Sequence, residues 1–247
     1  MRRYKGSDVF DMMRTISAMV GKGSVSHNSR QFNAKNTDPE RTPLNINYCN
    51  EDIREVYHRL FDGALERFND KQTRSDRRID DYYEKIRRGK QEKTFHELIL
   101  QIGNCDDTGA TTDVGAQAKA ALDEYYRGFA ERNPNLCVFS AHLHMDEATP
   151  HIHIDFVPFI TGSKRGLDTR VSLKQALAAQ GFKGGTRRET EWSQWVQSEK
   201  EQLAMAMERG RLKSENDSLR KENQKLRDVL AAHGIPFGRK QIDRDSR

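Results

Sequence analysis

Two short alternating runs on either side of a six-residue turn constrain this chain more than any other feature. Leu136–His144 and His151–Val157 read as strands, and Met145–Pro150 between them reads as a turn. Side chains of a strand point alternately to opposite faces. His142 and His144 therefore share one face of the first strand, opposite Phe139, Ala141 and Leu143, while His151 and His153 share one face of the second, opposite Ile152, Ile154 and Phe156. If the two strands pair as an antiparallel hairpin, or lie side by side in one sheet, their polar faces coincide and His144, His151 and His153 converge near the turn. Four of the chain's eight histidines fall between 142 and 153. A lone histidine pair at i, i+2 is ordinarily just an exposed strand face, but packing alone gives no reason to load a face with imidazoles, because each buried neutral ring still needs hydrogen-bond partners. Three imidazoles on one rigid sheet face form a divalent-metal site with positions left open for water or substrate. Asp146, Glu147 and Asp155 are near enough to support the ligands. His142 is open to three readings: a ligand, a support for one, or a solvent-facing residue.

The rest of the chain frames this hairpin. Residues 8–20 read as a short helix, followed by a long loop and a strand at Leu44–Cys49. Residues 51–90 read as helical, with an apolar stripe from Ile53 through Val56, Tyr57, Leu60, Phe61, Ala64, Leu65 and Phe68. Between Lys71 and Lys93 there are nine Lys/Arg against five Asp/Glu. Arg74, Arg77, Arg78, Arg87, Arg88 and Lys90 would recur on one side of a helix there, with Tyr82 and Tyr83 offered for base stacking; a solvated helix laced by i,i+4 ion pairs is an equal reading. Phe95–Ile102 alternates as a half-buried strand, residues 114–131 form a helix, and Ser172 caps a short one. From Glu189 to Ala232 the pattern is one long helix. Met205, Leu212, Leu219 and Leu226 are seven apart, and Arg209, Asn216, Asn223 and Leu230 fill the companion seam. Leucine at one seam and asparagine at the other suit a parallel two-stranded coiled coil; the competing reading is a solvated helix lying on its own domain.

Composition narrows the function classes. Of 247 residues, 35% are apolar and 32% charged, and the formal net charge is +5. That supplies one modest core, with part of the chain outside it as solvated helix or tail. No membrane segment and no secretory signal are expected. Three cysteines, Cys49, Cys105 and Cys137, lack CxxC spacing and fit a reducing, cytoplasmic setting.

The run His144-Met145-Asp146-Glu147-Ala148-Thr149-Pro150-His151-Ile152-His153 resembles the metal-binding motif of HUH relaxases, specifically the Pre/Mob (MobV) plasmid mobilisation and recombination relaxases. Far upstream, His27-Asn28-Ser29-Arg30, followed by Asp38-Pro39-Glu40-Arg41 and Leu44-Asn45, resembles that family's N-terminal nucleophile motif. The resemblance spans about residues 20–190. It implies a DNA relaxase that nicks one strand at a plasmid origin of transfer, stays covalently joined to the 5′ end, and later rejoins it. It further implies Mn²⁺ or Mg²⁺ held by His144, His151 and His153, and His27 as nucleophile. Glu147 is the candidate acceptor that fixes the second ring nitrogen of His27. Arg30 and Arg41 are candidates to hold phosphates, and Asn28 and Asn45 to contact DNA or orient His27. Residues 1–22 do not show the apolar first strand of the family, so Tyr4 and Tyr48 remain rival nucleophiles.

The expected fold is α+β: a central antiparallel sheet with the histidines on one face, helices packed on the other, and a long C-terminal helix. The expected domains are a relaxase domain at 1–188, a coiled-coil dimerisation helix at 189–233 and a polar tail at 234–247. Expected partners are origin DNA, single-stranded at the nick, a second copy of the chain through the C-terminal helix, and conjugation coupling machinery. The rival readings are a rolling-circle replication initiator of the same superfamily, a bZIP-like DNA-binding protein and a small-substrate metal hydrolase. The stretch before the heptads is not continuously basic, which argues against the bZIP reading.

Overall fold

The computed structural model describes residues 16–21, 23–32 and 35–235. Its strands are β1 (Ile16–Val20), β2 (Ile46–Asn50), β3 (His96–Ile102), β4 (Leu136–His144), β5 (His151–Ile160) and β6 (Arg170–Val171). Its helices are α1 (Val25–Asn28), α2 (Ile53–Asp70), α3 (Tyr82–Arg88), α4 (Asp113–Arg127), α5 (Phe129–Arg132), α6 (Leu173–Ala179) and α7 (Glu191–Ala232). The sheet runs β1-β3-β5-β4-β2 with every pair antiparallel, and β6 pairs with the far end of β5.

The hairpin expected from the alternation forms, and its register is the one the histidines require: His144 lies opposite His151, and His142 opposite His153. β5 is the central strand. On its other side Gln101 lies opposite His151, Ile99 opposite His153 and Glu97 opposite Asp155. One face of the sheet thus collects Glu97, Ile99, Gln101, His142, His144, His151, His153 and Asp155. The opposite face collects Leu98, Leu100, Leu143, Ile152, Ile154 and Phe156, which pack against Leu122 and Tyr125 of α4, Phe129 of α5, and Trp195 and Leu203 of α7.

Helices were expected on one face only, but they cover both. Beyond Asp155 the histidine face turns apolar: Val157, and Phe139 at an irregularity between Val138 and Ser140, pack under Val56, Tyr57 and Phe61 of α2 and Tyr82 of α3. The bulge sends Phe139 into this second cluster. Asp52 caps α2, its side chain accepting from the Arg54 N–H.

The chain departs from the sequence reading in three more places. Ile16–Val20, read as the end of a helix, is a strand paired along β3, and it supplies the first strand that the opening residues did not advertise; residues 8–15 and Tyr4 lie outside the described residues. The helix read over 51–90 is broken at Lys71, and the chain passes through a short 3₁₀ turn at Ser75–Arg77 before α3. No single helix face therefore aligns the basic residues of this stretch. Arg74 pairs with Asp76 at 2.6 Å, and Arg87 and Arg88 pair with Glu84 at 2.7 and 3.4 Å. Tyr82 is buried, its hydroxyl accepting from the Val171 N–H at 3.2 Å, and Tyr83 lies edge-on to Tyr57 with the Arg54 guanidinium 4.4 Å above its ring. Both rings are committed to packing, so neither is presented to a base.

Third, α7 does not begin a separate unit at 189. Among the described residues, those up to Met207 form one compact unit and those from Glu208 onward another. Within the first, Trp195, Leu203, Ala204 and Ala206 are buried in the sheet's core. Glu199 is buried too, accepting from Tyr125 at 2.5 Å, Asn133 at 3.0 Å and Arg132 at 3.1 Å. In the second, Leu212, Leu219 and Leu226 are 39%, 52% and 56% exposed.

Candidate metal centre and active site

The three imidazoles at the turn end of β4 and β5 are held by the atoms they bond. His151 Nδ1 lies 2.8 Å from the Thr149 carbonyl and His144 Nε2 lies 2.8 Å from the Asn28 carbonyl. A carbonyl only accepts, so each of these nitrogens carries the proton. His153 Nδ1 lies 2.6 Å from Glu97 Oε1 and donates to it. The remaining nitrogens, His144 Nδ1, His151 Nε2 and His153 Nε2, keep their lone pairs. The ring centroids are 5.0 to 5.1 Å apart, and one nitrogen of each ring falls within 4.8 Å of the others. His144 Nδ1 and His151 Nε2 stand 3.3 Å apart with both protons directed elsewhere. Two lone pairs facing each other at that distance repel unless a cation lies between them, so the donor set fits a divalent metal on its own chemistry. Burial and the neighbouring rings push His144 down to about 2, and burial lowers His151 as well. Both rings are thus held neutral, the form a metal requires.

Glu97 stands on the polar side of β3, opposite Asp155. The structure makes it the carboxylate that orients His153. Burial opposes its ionisation, but bonds from His153, the Gly23 N–H at 2.8 Å and Asn28 Nδ2 at 2.7 Å lower its pKa. A Cβ on Gly21 would overlap the Glu97 carboxylate, and Gly23 has φ +73°, so these two glycines let the chain pass close over Glu97. Asn28 also donates to Asp155 Oδ2 at 3.2 Å; burial and the Glu97 charge push Asp155 up to about 7. His142 stays outside the trio. Its Nε2 lies 3.2 Å from Ser140 Oγ, and burial pushes it down to about 4.

His27, on α1, stands beside this centre. Its ring centroid is 6.5 Å from that of His153, its Nε2 is 3.4 Å from Arg30 Nη1 and 3.6 Å from Glu147 Oε1. Arg30 can only donate, so Nε2 presents its lone pair there. His27, Glu147, Thr149, His151 and His153 line one cleft of about 260 Å³ with Met19, Ile99 and Gln101.

The four residues considered for DNA contact have other partners. Arg30 has φ +54°, and that turn folds its guanidinium back onto Asp146 at 2.6 and 2.9 Å and Glu147 at 2.8 Å. Arg41 donates to the carbonyls of Met145 and Glu147 at 2.8 and 2.9 Å. Asn45 accepts from the Met145 N–H at 2.6 Å and donates to Asp146 at 2.8 Å. Asn28 is buried between Glu97 and Asp155. Together they fix the 145–147 turn and α1 against the sheet. Asp146, fully buried, is lowered to about 2 because these bonds outweigh its burial. His144, Asp146 and Glu147 form a second group close enough to hold an ion, but both carboxylates are already taken by Arg30. Tyr48 is directed to the apolar face, where its hydroxyl donates to Asp123 at 2.9 Å and its ring stacks on Tyr126 at 4.1 Å. Burial raises its pKa well above the usual phenol value, the reverse of what a nucleophile needs.

A family model described as a plasmid recombination enzyme, Mob_Pre, matches residues 47–226. The chain belongs to the Mob_Pre family. The Mob_Pre match includes the histidine trio and Glu147, and it begins downstream of His27. Among solved structures, the chain is similar to the MobM relaxase domain (MOBV; Mob_Pre) bound to 22-nucleotide pMV158 origin-of-transfer DNA with Mn. At pH 5.5 and 4.6 these complexes are 20% and 21% identical, with 94% of this chain and 93% and 94% of theirs covered, each at TM-score 0.40. The same domain on a 26-nucleotide origin DNA is 17% identical over 94% of each chain, at TM-score 0.30. No curated protein matches the chain.

Proposed function

We propose that this Mob_Pre chain is a plasmid relaxase that nicks one DNA strand at an origin of transfer, with His27 as nucleophile. The observation that carries the reading is the convergence of His144, His151 and His153, with the His27 ring 6.5 Å from that of His153 and His27, His151 and His153 lining one cleft. His144, His151 and His153 would hold the cation. A divalent metal there, Mn²⁺ or Mg²⁺, supplies Lewis-acid polarisation of the scissile phosphate. His27 Nε2 attacks phosphorus, the P–O3′ bond breaks, and the 3′ oxygen leaves as a hydroxyl once protonated. The 5′ phosphate remains on His27 as a phosphoramidate. Attack by a 3′ hydroxyl reverses the step without ATP, because the bond energy is retained. Arg30 Nη1 and Glu147 Oε1 both lie on the Nε2 side of the ring, so Glu147 does not fix the second ring nitrogen as the sequence suggested, and the Arg30 contact must open for Nε2 to attack. Glu97 keeps His153 in the tautomer that leaves its Nε2 free.

Incubation with supercoiled plasmid carrying the chain's own origin and Mn²⁺, followed by denaturing electrophoresis, should show a 5′-linked adduct. That adduct should be lost in acid, as a phosphoramidate is; an acid-stable adduct mapping to Tyr4 would remove His27 from the role.

The exposed Leu212, Leu219 and Leu226, with Asn216 and Asn223 on the companion seam, favour pairing of two copies along this part of α7. Sedimentation of the full chain against a chain ending at Met207 tests it; a full-length monomer at micromolar concentration excludes the pairing. Among the described residues no helix is long and apolar enough to cross a membrane.

A further inference from the structure

Two rings stand next to His27: that of His153, centroid 6.5 Å away, and that of Phe32, centroid 6.0 Å away and tilted by 51°. Phe32 is 51% exposed, and Met19, in the wall of the His27 cleft, is 48% exposed. Large apolar side chains ordinarily leave water, and neither of these is needed by the core: Phe32 belongs to neither buried cluster. Backbone geometry accounts for the placement of Phe32. The left-handed turn at Arg30 ends α1 and points the guanidinium inward to Asp146 and Glu147, and two residues later the chain carries Phe32 outward beside the nucleophile.

Resting on the relaxase reading above, we propose that Phe32 is the stacking platform of a nucleobase subsite at the mouth of the active cleft, holding a base that flanks the scissile phosphate. A phosphate within reach of His27 places its neighbouring nucleotide within a few ångströms of that residue, where the half-exposed Phe32 ring lies 6.0 Å from the imidazole. The cations nearest the nucleophile cannot do this positioning. Arg30 is consumed by two carboxylates and Arg41 by backbone carbonyls and Asp38. Stacking needs no charge, tolerates any base, and contributes about 1–3 kcal/mol per base. It would hold an unpaired strand at the cleft, whose wall Met19 helps to form. Phe32 is thus a positioning residue, acting on the strand and not on phosphorus.

The test separates base-dependent from backbone-dependent binding. The probes are fluorescein-labelled oligothymidylate of twelve nucleotides and a twelve-unit abasic deoxyribose-phosphate of the same charge, with binding read by anisotropy in EDTA. Wild type should bind the thymidylate more tightly than the abasic strand. Phe32→Ala should weaken thymidylate binding about tenfold, as loss of one stacked base implies, and leave the abasic affinity unchanged. Phe32→Trp should restore it. With nicking substrate, Phe32→Ala should raise KM by a similar factor with kcat within twofold of wild type. An unchanged thymidylate affinity in Phe32→Ala, or equal losses for both strands, overturns the subsite and leaves the relaxase reading standing. A kcat loss that Phe32→Trp does not repair overturns it in favour of a packing support for His27. Wild type that neither nicks nor distinguishes the strands removes the relaxase reading, and the subsite with it.

Discussion

The two faces of one sheet are built by different rules. On the apolar face, Leu98, Leu100, Ile152, Ile154 and Phe156 come from two neighbouring strands, β3 and β5, and pack against helices by area and shape. On the histidine face, the carboxylates and the turn are held by partners drawn from distant sequence: Asn28 reaches Glu97 and Asp155, Arg30 reaches Asp146, and Asn45 reaches the 145–146 backbone. Non-directional burial tolerates exchange of one hydrophobe for another. A polar network in low dielectric does not, since each lost partner strands a desolvated group. The difference predicts that substitutions on one face are read out as stability, and on the other as chemistry.

The largest effect should come from the trio. Replacing His144, His151 or His153 by Ala should lower nicking at least about 10³-fold, the scale on which removal of one key electrostatic group acts, and should weaken Mn²⁺ binding measured by calorimetry. For His144 and His151 the thermal midpoint in EDTA should move little, because removing either ring relieves the lone-pair opposition; His153→Ala should lower it, because Glu97 loses its donor. A triple-Ala variant that still nicks would break the comparison outright.

The counterpart on the other face is Leu100→Ala. Leu100 is fully buried at the middle of β3, so the cavity should cost about 3 kcal/mol, some hundredfold in the unfolding constant by denaturant titration. The folded fraction should keep its Mn²⁺ affinity. A large loss of affinity at unchanged stability would show that the two faces are not separable.

Glu97→Gln sharpens the boundary between them. It keeps shape and removes the charge that His153 donates to at 2.6 Å. Metal affinity should fall about 10- to 100-fold, the usual consequence of removing a carboxylate behind a ligating histidine, with the thermal midpoint of the metal-free protein nearly unchanged. Equal losses of stability and affinity would make Glu97 a packing residue instead.

What the sequence disclosed follows the same division. Period-two alternation is a local signal, so β4, β5, their turn and the shared histidine face were legible from residues 136–157 alone. The apolar stripe of α2 was legible for the same reason. The network around the trio was not. Glu97 stands fifty-six positions from His153, and nothing in Phe95–Ile102 says that this strand lies beside β5. Knowing that order would have placed Glu97 opposite Asp155 and marked it. Arg30 and Arg41 were read as phosphate holders because a sequence shows a charge and hides its partner. β1 escaped because five residues are too few for a period to declare itself against polar neighbours, and its strand identity comes from pairing with β3. The length of α7 was legible, but periodicity did not reveal that Trp195 and Leu203 are claimed by the core.

One residue reverses the rule, and it supplies the smallest and most diagnostic effect. His96 is a polar group on the apolar face of β3, with its ring stacked at 6.2 Å on Phe156 and 6.0 Å from Trp192. Its Nε2 is buried with no hydrogen-bond partner. Burial, and after it the positive charge of Lys93, lower its pKa to about 4 from an ordinary value of 6.5. The folded state then binds fewer protons at His96 than the unfolded chain throughout that window. Stability must therefore rise with pH across it: the contribution is fully present above about 6.5 and is lost as pH falls toward 4. The loss is about 2 kcal/mol, less than the full shift implies because the ring is partly exposed. His96→Leu fills the same space and has nothing to protonate. Its advantage over wild type, measured by urea unfolding in EDTA, should be small at pH 7.5 and grow steadily to pH 4.5. Histidine on the opposite face is held in place by its partners; His96 is tolerated only while it stays neutral. An advantage that stays constant with pH would mean the ring is protonated equally in both states, and that this face treats a polar group no differently from the other.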